Sequence, residues 1–221
     1  HSVGVVRDAI IAYEVQHRQN AQDIFWSLPV VAETYDGWLN DINGFHVRPE
    51  HVFQALDAAA SGPVAEGCVG GGTGMNCHEF KGGIGTSSRV LPPERGGWTV
   101  GVLVQANYGR RYLLRIDGVP VGEEIGPDVV PPPWPRSRGD GSIIIIVATD
   151  APLLPHQCKR LAQRATVGLA RVGGNGDNGS GDLFLCFASG NRGLMDPADR
   201  ISPIATRMVP NTAIDGLFEA V

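Results

Sequence analysis

The run GDGSIIIIVATD (139–150) decides how the rest of the chain is read. From Ser142 onward it is a string of β-branched residues, which suits a strand covered on both faces. Just upstream, residues 122–141 (GEEIGPDVVPPPWPRSRGDG) carry Pro131, Pro132, Pro133 and Pro135. These residues lack amide donors and favour an extended, exposed linker. Downstream, Pro155 to Val172 places Cys158, Leu161, Ala162, Ala165 and Leu169 at three- and four-residue spacings, which predicts a helix with one apolar face. A polar loop, Gly173 to Ser180, then leads into a second apolar strand, Asp182 to Ser189 (DLFLCFAS).

Working back from the linker, Gly97 to Asn107 (GWTVGVLVQAN) alternates, with Trp98, Val100, Val102 and Val104 on one face, and predicts a strand ending at Asn107. Segments 112–116 and 119–121 flank Asp117-Gly118, a hairpin signal. Helices are expected from Asp8, as N-cap, to about Gln19, and from Pro49 to near Gly62. Between them, AETYDGWLNDINGFHVR (32–48) is turn-rich and gathers Tyr35, Trp38 and Phe45. The glycine-rich stretch 66–89 contains neither Gly-Lys-Ser/Thr nor a GxGxxG after a strand, so backbone squeezed against other layers is expected rather than a nucleotide loop. Asn211 is read as the cap of a final helix.

Composition narrows the function classes. The 221 residues include 30 Gly and 16 Pro, yet 43% are apolar, so the chain folds rather than remaining disordered. A formal charge of −5 offers no basic field for phosphates, which argues against nucleic acid as a partner. The longest apolar run, Ile143 to Ala148, is far short of the roughly 20 residues that span a bilayer, so no membrane partner is expected. Cys68, Cys77, Cys158 and Cys186 form no CxxC pair, and Cys77-His78-Glu79 are neighbours that rarely converge on one ion. Neither a metal nor a cofactor is expected.

The chemistry is sought where linker meets strand, at Asp140-Gly141-Ser142. A serine hydroxyl needs a base, and the chain has no GxSxG elbow and no histidine in a recognisable triad context. Cutting the bond before Ser142 would let the serine serve as its own base. It frees an α-amino group with a pKa of about 7.7–8.0, substantially neutral near pH 7 to 8. A hydroxyl beside the bond, an unhindered Gly141 before it and a slack linker upstream are what self-cleavage requires. On the residues alone, an ordinary Gly-Ser turn remains the alternative.

NCHEFKGGIGTSSR (76–89), GDGSIIIIVATDAPLLPHQCKRLA (139–162) and NGSGDLFLCFASGN (178–191) resemble the family of L-aminopeptidase D-Ala-esterase/amidases and β-peptidyl aminopeptidases. SVGVVRDAIIAYE (2–14) and YDGWLNDINGFHV (35–47) extend the resemblance over essentially the whole chain. It implies an α/β (α+β) fold, a four-layer α/β/β/α sandwich of N-terminal-nucleophile-hydrolase-like architecture. Residues 1–221 would be a single catalytic domain, incomplete at both ends. The α-chain portion would be 1–141, with its linker at 122–141, and the β-chain portion 142–221, after autoproteolysis between Gly141 and Ser142. Ser142 matches the nucleophile, and Ser180 and Asp182 the residues beside it; some members carry Glu where this chain has Asp182, one methylene shorter. Asn107 matches an oxyanion donor and Tyr35 a hydroxyl near the developing charge. Glu33 corresponds to the carboxylate that grips a substrate ammonium, with Trp38 in the same substrate-binding stretch.

The expected activity is therefore a serine aminopeptidase or amidase. It would remove N-terminal residues from small peptides, amides or esters through an acyl-enzyme, as a homo-oligomer of αβ units. A cytoplasmic location is expected, with the periplasm open if a leader precedes His1. The alternatives are an ornithine acetyltransferase-like acyltransferase, which usually presents Thr, and an inactive fragment or binding module of the same fold.

Overall fold

The computed structural model describes residues 1–18, 25–132, 141–196, 198–199 and 201–221. It is a mixed α/β fold. In chain order its helices are α1 (Val3–His17), α2 (Pro49–Asp57), α3 (Val121–Glu124), α4 (Pro155–Arg171) and α5 (Asp215–Ala220). The strands are β1 (Asn76–Cys77), β2 (Phe80–Lys81), β3 (Gly83–Val90), β4 (Thr99–Asn107), β5 (Ser142–Thr149) and β6 (Leu183–Ala188).

The β-branched run becomes β5, an inner strand of a four-stranded sheet ordered β3-β4-β5-β6. β5 pairs antiparallel with β4 and parallel with β6, to which it is joined through α4. Alternation along β5 decides the layers. Ile143, Ile145 and Val147 are at most 5% exposed and pack under α4 and α5 with Leu161, Ala165, Leu169 and Leu217. The opposite face is less covered: Leu183, Leu185 and Phe187 of β6 remain 44–51% exposed. These residues thus supply one helix layer and one sheet layer, with the core between them.

Several boundaries move from their sequence expectations. α1 begins at Val3, because Asp8 lies inside the helix and its carboxylate takes Arg7 at 2.9 Å instead of capping. α2 stops at Asp57, where Ala58 closes the last turn. At Asp117-Gly118 the turn forms with both φ angles positive, 51° and 80°, but the ladder ends at one bridge, Ile116 to Val119. The flanks are drawn elsewhere: Arg111–Leu113 coil into a 3-10 turn, and the Arg115 amide donates to the Val172 carbonyl. Asn211 opens a 3-10 turn, and its side chain accepts from Arg160.

The glycine-rich stretch divides in two. Its first half is squeezed as expected: a Cβ on Gly72 or Gly83 would lie 2.4 or 2.3 Å from the Gly67 carbonyl oxygen. Its second half is strand β3, which glycine and serine disguise because they have little strand preference. The linker is also less free than expected. The buried Arg111 guanidinium donates to the carbonyls of Gly126, Val130 and Glu79, and lies 4.1 Å above the Phe80 ring. That clamp docks the linker's first half, whereas Pro133, Pro135 and the rest through Asp140 lie outside the described residues.

Candidate active site

The antiparallel register of β4 with β5 sets Asn107, the last residue of one strand, opposite Ser142, the first of the other. Both side chains are buried, at 4% and 7% exposure. Ser142 is thus held by a sheet ladder rather than by a loop.

Asn107 is fixed through both ends of its amide. Its Oδ1 accepts from the Asn76 amide at 3.0 Å, and its Nδ2 donates to the Tyr35 carbonyl at 2.8 Å. An Nδ2 group has two hydrogens, and Tyr35 takes one. Two residues earlier on the same face of β4, Gln105 Nε2 donates to the Thr34 hydroxyl at 2.7 Å, and that hydroxyl donates to Met75 Sδ. Alternate residues of one strand therefore strap down the segment that carries Glu33 and Tyr35.

Glu33 and Tyr35 line a cavity of about 600 Å³ that also touches Phe45, Met75 and Gln105. The Tyr35 ring is half exposed and meets Trp38 edge-on at 6.1 Å between centroids. Glu33 Oε2 accepts from the His1 amino group at 3.0 Å and from the Ser2 amide at 3.2 Å. The Glu33 carboxylate and the Tyr35 ring thus belong to one wall, tied to the Ser142 end of the sheet through Asn107, and Trp38 meets that wall through the Tyr35 ring.

On the other side of Ser142 lies the loop 173–181. The Ser180 amide donates to the Asp177 carbonyl at 2.8 Å, and the Asp177 carboxylate pairs with Arg110 at 3.2 Å. The Gly181 amide donates to the Gly141 carbonyl at 3.3 Å, and a Cβ placed on Gly181 would lie 3.7 Å from Ser142 Cβ. Gly141 itself is pressed against β4: a Cβ there would meet the Asn107 carbonyl oxygen at 2.5 Å and Tyr108 Cα at 2.8 Å. No side chain fits without moving backbone.

Asp182 closes the group. Burial pushes its carboxyl above the usual range and nearby Asp177 adds to the rise, while the Ser180 hydroxyl and the Ile143 amide pull it back. Ser180 and Asp182 line one small space with Gly141 and Tyr108. Asp182 Oδ1 is buried without a partner. A partly desolvated carboxyl next to a hydroxyl can take and return a proton.

The structure thus brings Ser142, Asn107, Ser180 and Asp182 to one end of the sheet, with Tyr35 attached through its backbone, Glu33 on the adjoining wall, and Trp38 against the Tyr35 ring but outside the cavity lining. Thr34, Gln105, Arg110 and Gly181 are further parts of this arrangement that reading the sequence did not pick out. The i, i+2 amides of Gln105 and Asn107 in an otherwise apolar strand were the available signal for two of these contacts.

Comparison with known proteins follows the same lines. Residues 1–221 match peptidase family S58. The chain is 50% identical to the β-peptidyl aminopeptidase BapA of Sphingosinicella microcystinivorans, over all of this chain and 57% of that protein. Among solved structures, a Burkholderia sp. β-aminopeptidase is 57% identical with a TM-score of 0.86, over all of this chain and 60% of that one. The L-aminopeptidase D-Ala-esterase/amidase of Ochrobactrum anthropi, described as a prototype serine aminopeptidase and a variant of the Ntn hydrolase fold, is 44% identical with a TM-score of 0.85. It is matched over all of this chain and 59% of its own. The chain therefore spans somewhat over half the length of these relatives. It has their fold, and it belongs to peptidase family S58.

Proposed function

We propose that this chain is the catalytic portion of a self-processing serine aminopeptidase. Cleavage between Gly141 and Ser142 frees the serine's amino group, and Ser142 Oγ then attacks the carbonyl of a substrate's first residue to form an acyl-enzyme that water hydrolyses. The single observation that carries this reading is the seating of Ser142, buried at a strand start, opposite Asn107 and against the 180–182 segment.

In this scheme the Ser142 amine accepts the hydroxyl proton and returns it to the leaving group. Ser180 and Asp182 orient the serine and its amine. The spare Nδ2 hydrogen of Asn107 and the Tyr35 hydroxyl meet the oxyanion, where one preorganised donor can be worth roughly 3 kcal/mol. Glu33 holds the substrate's ammonium at the cavity wall, and Trp38 supports the substrate side through the Tyr35 ring. Substrates are short peptides, amino-acid amides or esters with a free amino end, and the working unit is an oligomer of αβ pairs.

Intact mass and denaturing electrophoresis of the purified full-length protein test this reading. Two chains meeting at Gly141/Ser142 are expected. Ser142→Ala should leave one chain and no hydrolysis of alanine amides. A single uncut wild-type chain that still turns over such an amide would overturn the mechanism.

A further inference from the structure

The donor on the Gly141 carbonyl has a specific chemical meaning, because that carbonyl is the one that must be attacked if the chain cuts itself before Ser142. Three observations converge on it. The Gly181 amide already points at Gly141 O, 3.3 Å away. Gly141 lies close against the end of β4, where even a methyl group on it would meet the Asn107 carbonyl oxygen and Tyr108 Cα. The loop that presents the amide is pinned independently, by the Asp177 carbonyl on the Ser180 amide and by Arg110 on the Asp177 carboxylate.

We infer that the Gly181 amide is the oxyanion donor of self-cleavage, and that Arg110 and Asp177 are positioning residues that hold it there. The inference rests on the self-processing reading above. In the first step Ser142 Oγ bonds to the Gly141 carbonyl carbon and the carbonyl oxygen takes up negative charge. The Gly141–Ser142 C–N bond then breaks, leaving a Gly141 ester on Oγ, and the hydroxyl proton ends on the freed Ser142 nitrogen. Water hydrolyses that ester to a Gly141 carboxylate and a free hydroxyl. A donor suited to an oxyanion lies about 2.7–3.1 Å from it, so the ground-state contact of 3.3 Å leaves room to tighten as the carbon becomes tetrahedral.

This assigns a task distinct from that of Asn107. Asn107 spends one Nδ2 hydrogen on the Tyr35 carbonyl and, in the scheme above, turns the other to the oxyanion of a bound substrate. The Gly181 amide faces the chain's own scissile bond.

The test uses the full-length precursor, with cleavage followed by intact mass after rapid purification. Replacing the Gly181 amide N–H with an ester oxygen by semisynthesis removes only the donor and should slow cleavage on the order of 100-fold. Arg110→Gln and Asp177→Asn should each slow cleavage by a smaller factor, with the exchanged pair Arg110→Asp/Asp177→Arg recovering part of it. A purely structural role would lower the melting temperature without such recovery. Wild-type cleavage with an equally fast ester variant overturns the Gly181 assignment and leaves the aminopeptidase reading standing. Absence of wild-type cleavage at Gly141–Ser142 overturns both.

Discussion

The two halves of the candidate site are held in different ways. Asn107 and Ser142 are fixed by the β4–β5 ladder and are buried. Glu33, Tyr35 and Trp38, about 41–50% exposed, sit on irregular backbone held by single side-chain contacts from Gln105 and Asn107. The loop 173–181 behaves similarly, pinned by Arg110 through Asp177. A nucleophile must not drift by even an ångström, since such a shift can cost about 100-fold in rate. A substrate wall can be carried on loops and so can vary without disturbing the sheet.

Breaking each half in turn should give effects of graded size. Asp182→Asn is expected to lower turnover the most, by about 100- to 10,000-fold if its carboxylate assists proton transfer. The pH dependence has a definite sign. The folded carboxyl lies above its ordinary value of 3.8. It therefore contributes stability below that value and loses it as pH rises through the folded one. Activity should instead fall on acidification as the Ser142 amine, the base of the scheme above, takes up a proton, and the Asp182 carboxylate beside it favours that protonated form. A pH–rate profile of kcat/KM and melting curves across pH 3 to 8 would check both, and an unchanged acid limb in a variant that retains activity would remove Asp182 from the chemistry.

Asn107→Ala comes next, with turnover expected to fall by roughly 100- to 1,000-fold. It also leaves the Asn76 amide without its acceptor, so the melting temperature should drop. Gly141→Ala should slow self-cleavage by about 100-fold while barely changing the turnover of protein that has already been cut. A time course by electrophoresis would separate those effects, and equal loss in both would mean that the clash disturbs the whole sheet. Thr34→Val probes the loop-held half alone. Removing its hydroxyl bonds should cost about 1 kcal/mol, chiefly raising KM for short peptide amides with kcat little changed. A larger fall in kcat than in affinity would show that the wall and the nucleophile are not independent.

Legibility in the sequence followed the same division. β5, α4 and β6 could be read because an uninterrupted β-branched run and a clear helical stripe leave few alternatives. Asn107 could be placed at a strand end, and its partner then followed from register. β3 could not be read, because its glycines and serines owe their strand state to pairing with β4 rather than to any preference of their own. The α1 start was misplaced because Asp8 carries a capping residue's chemistry in a helix-interior position. The clamp of Arg111 on the linker and the Thr34–Gln105 strap join residues far apart in sequence, and no local pattern announces such contacts.

The ladder between β4 and β5 has a consequence for refolding. β4 precedes the proposed cut and β5 follows it, and their pairing runs the whole length of β5, through the centre of the core. Cutting at Gly141 would therefore not release either piece. It would, however, turn folding from a reaction of one chain into an encounter between two, whose rate depends on concentration. The mature protein would then persist because it unfolds slowly. Once heated apart, it would recover only as fast as its separated pieces could find each other before aggregating.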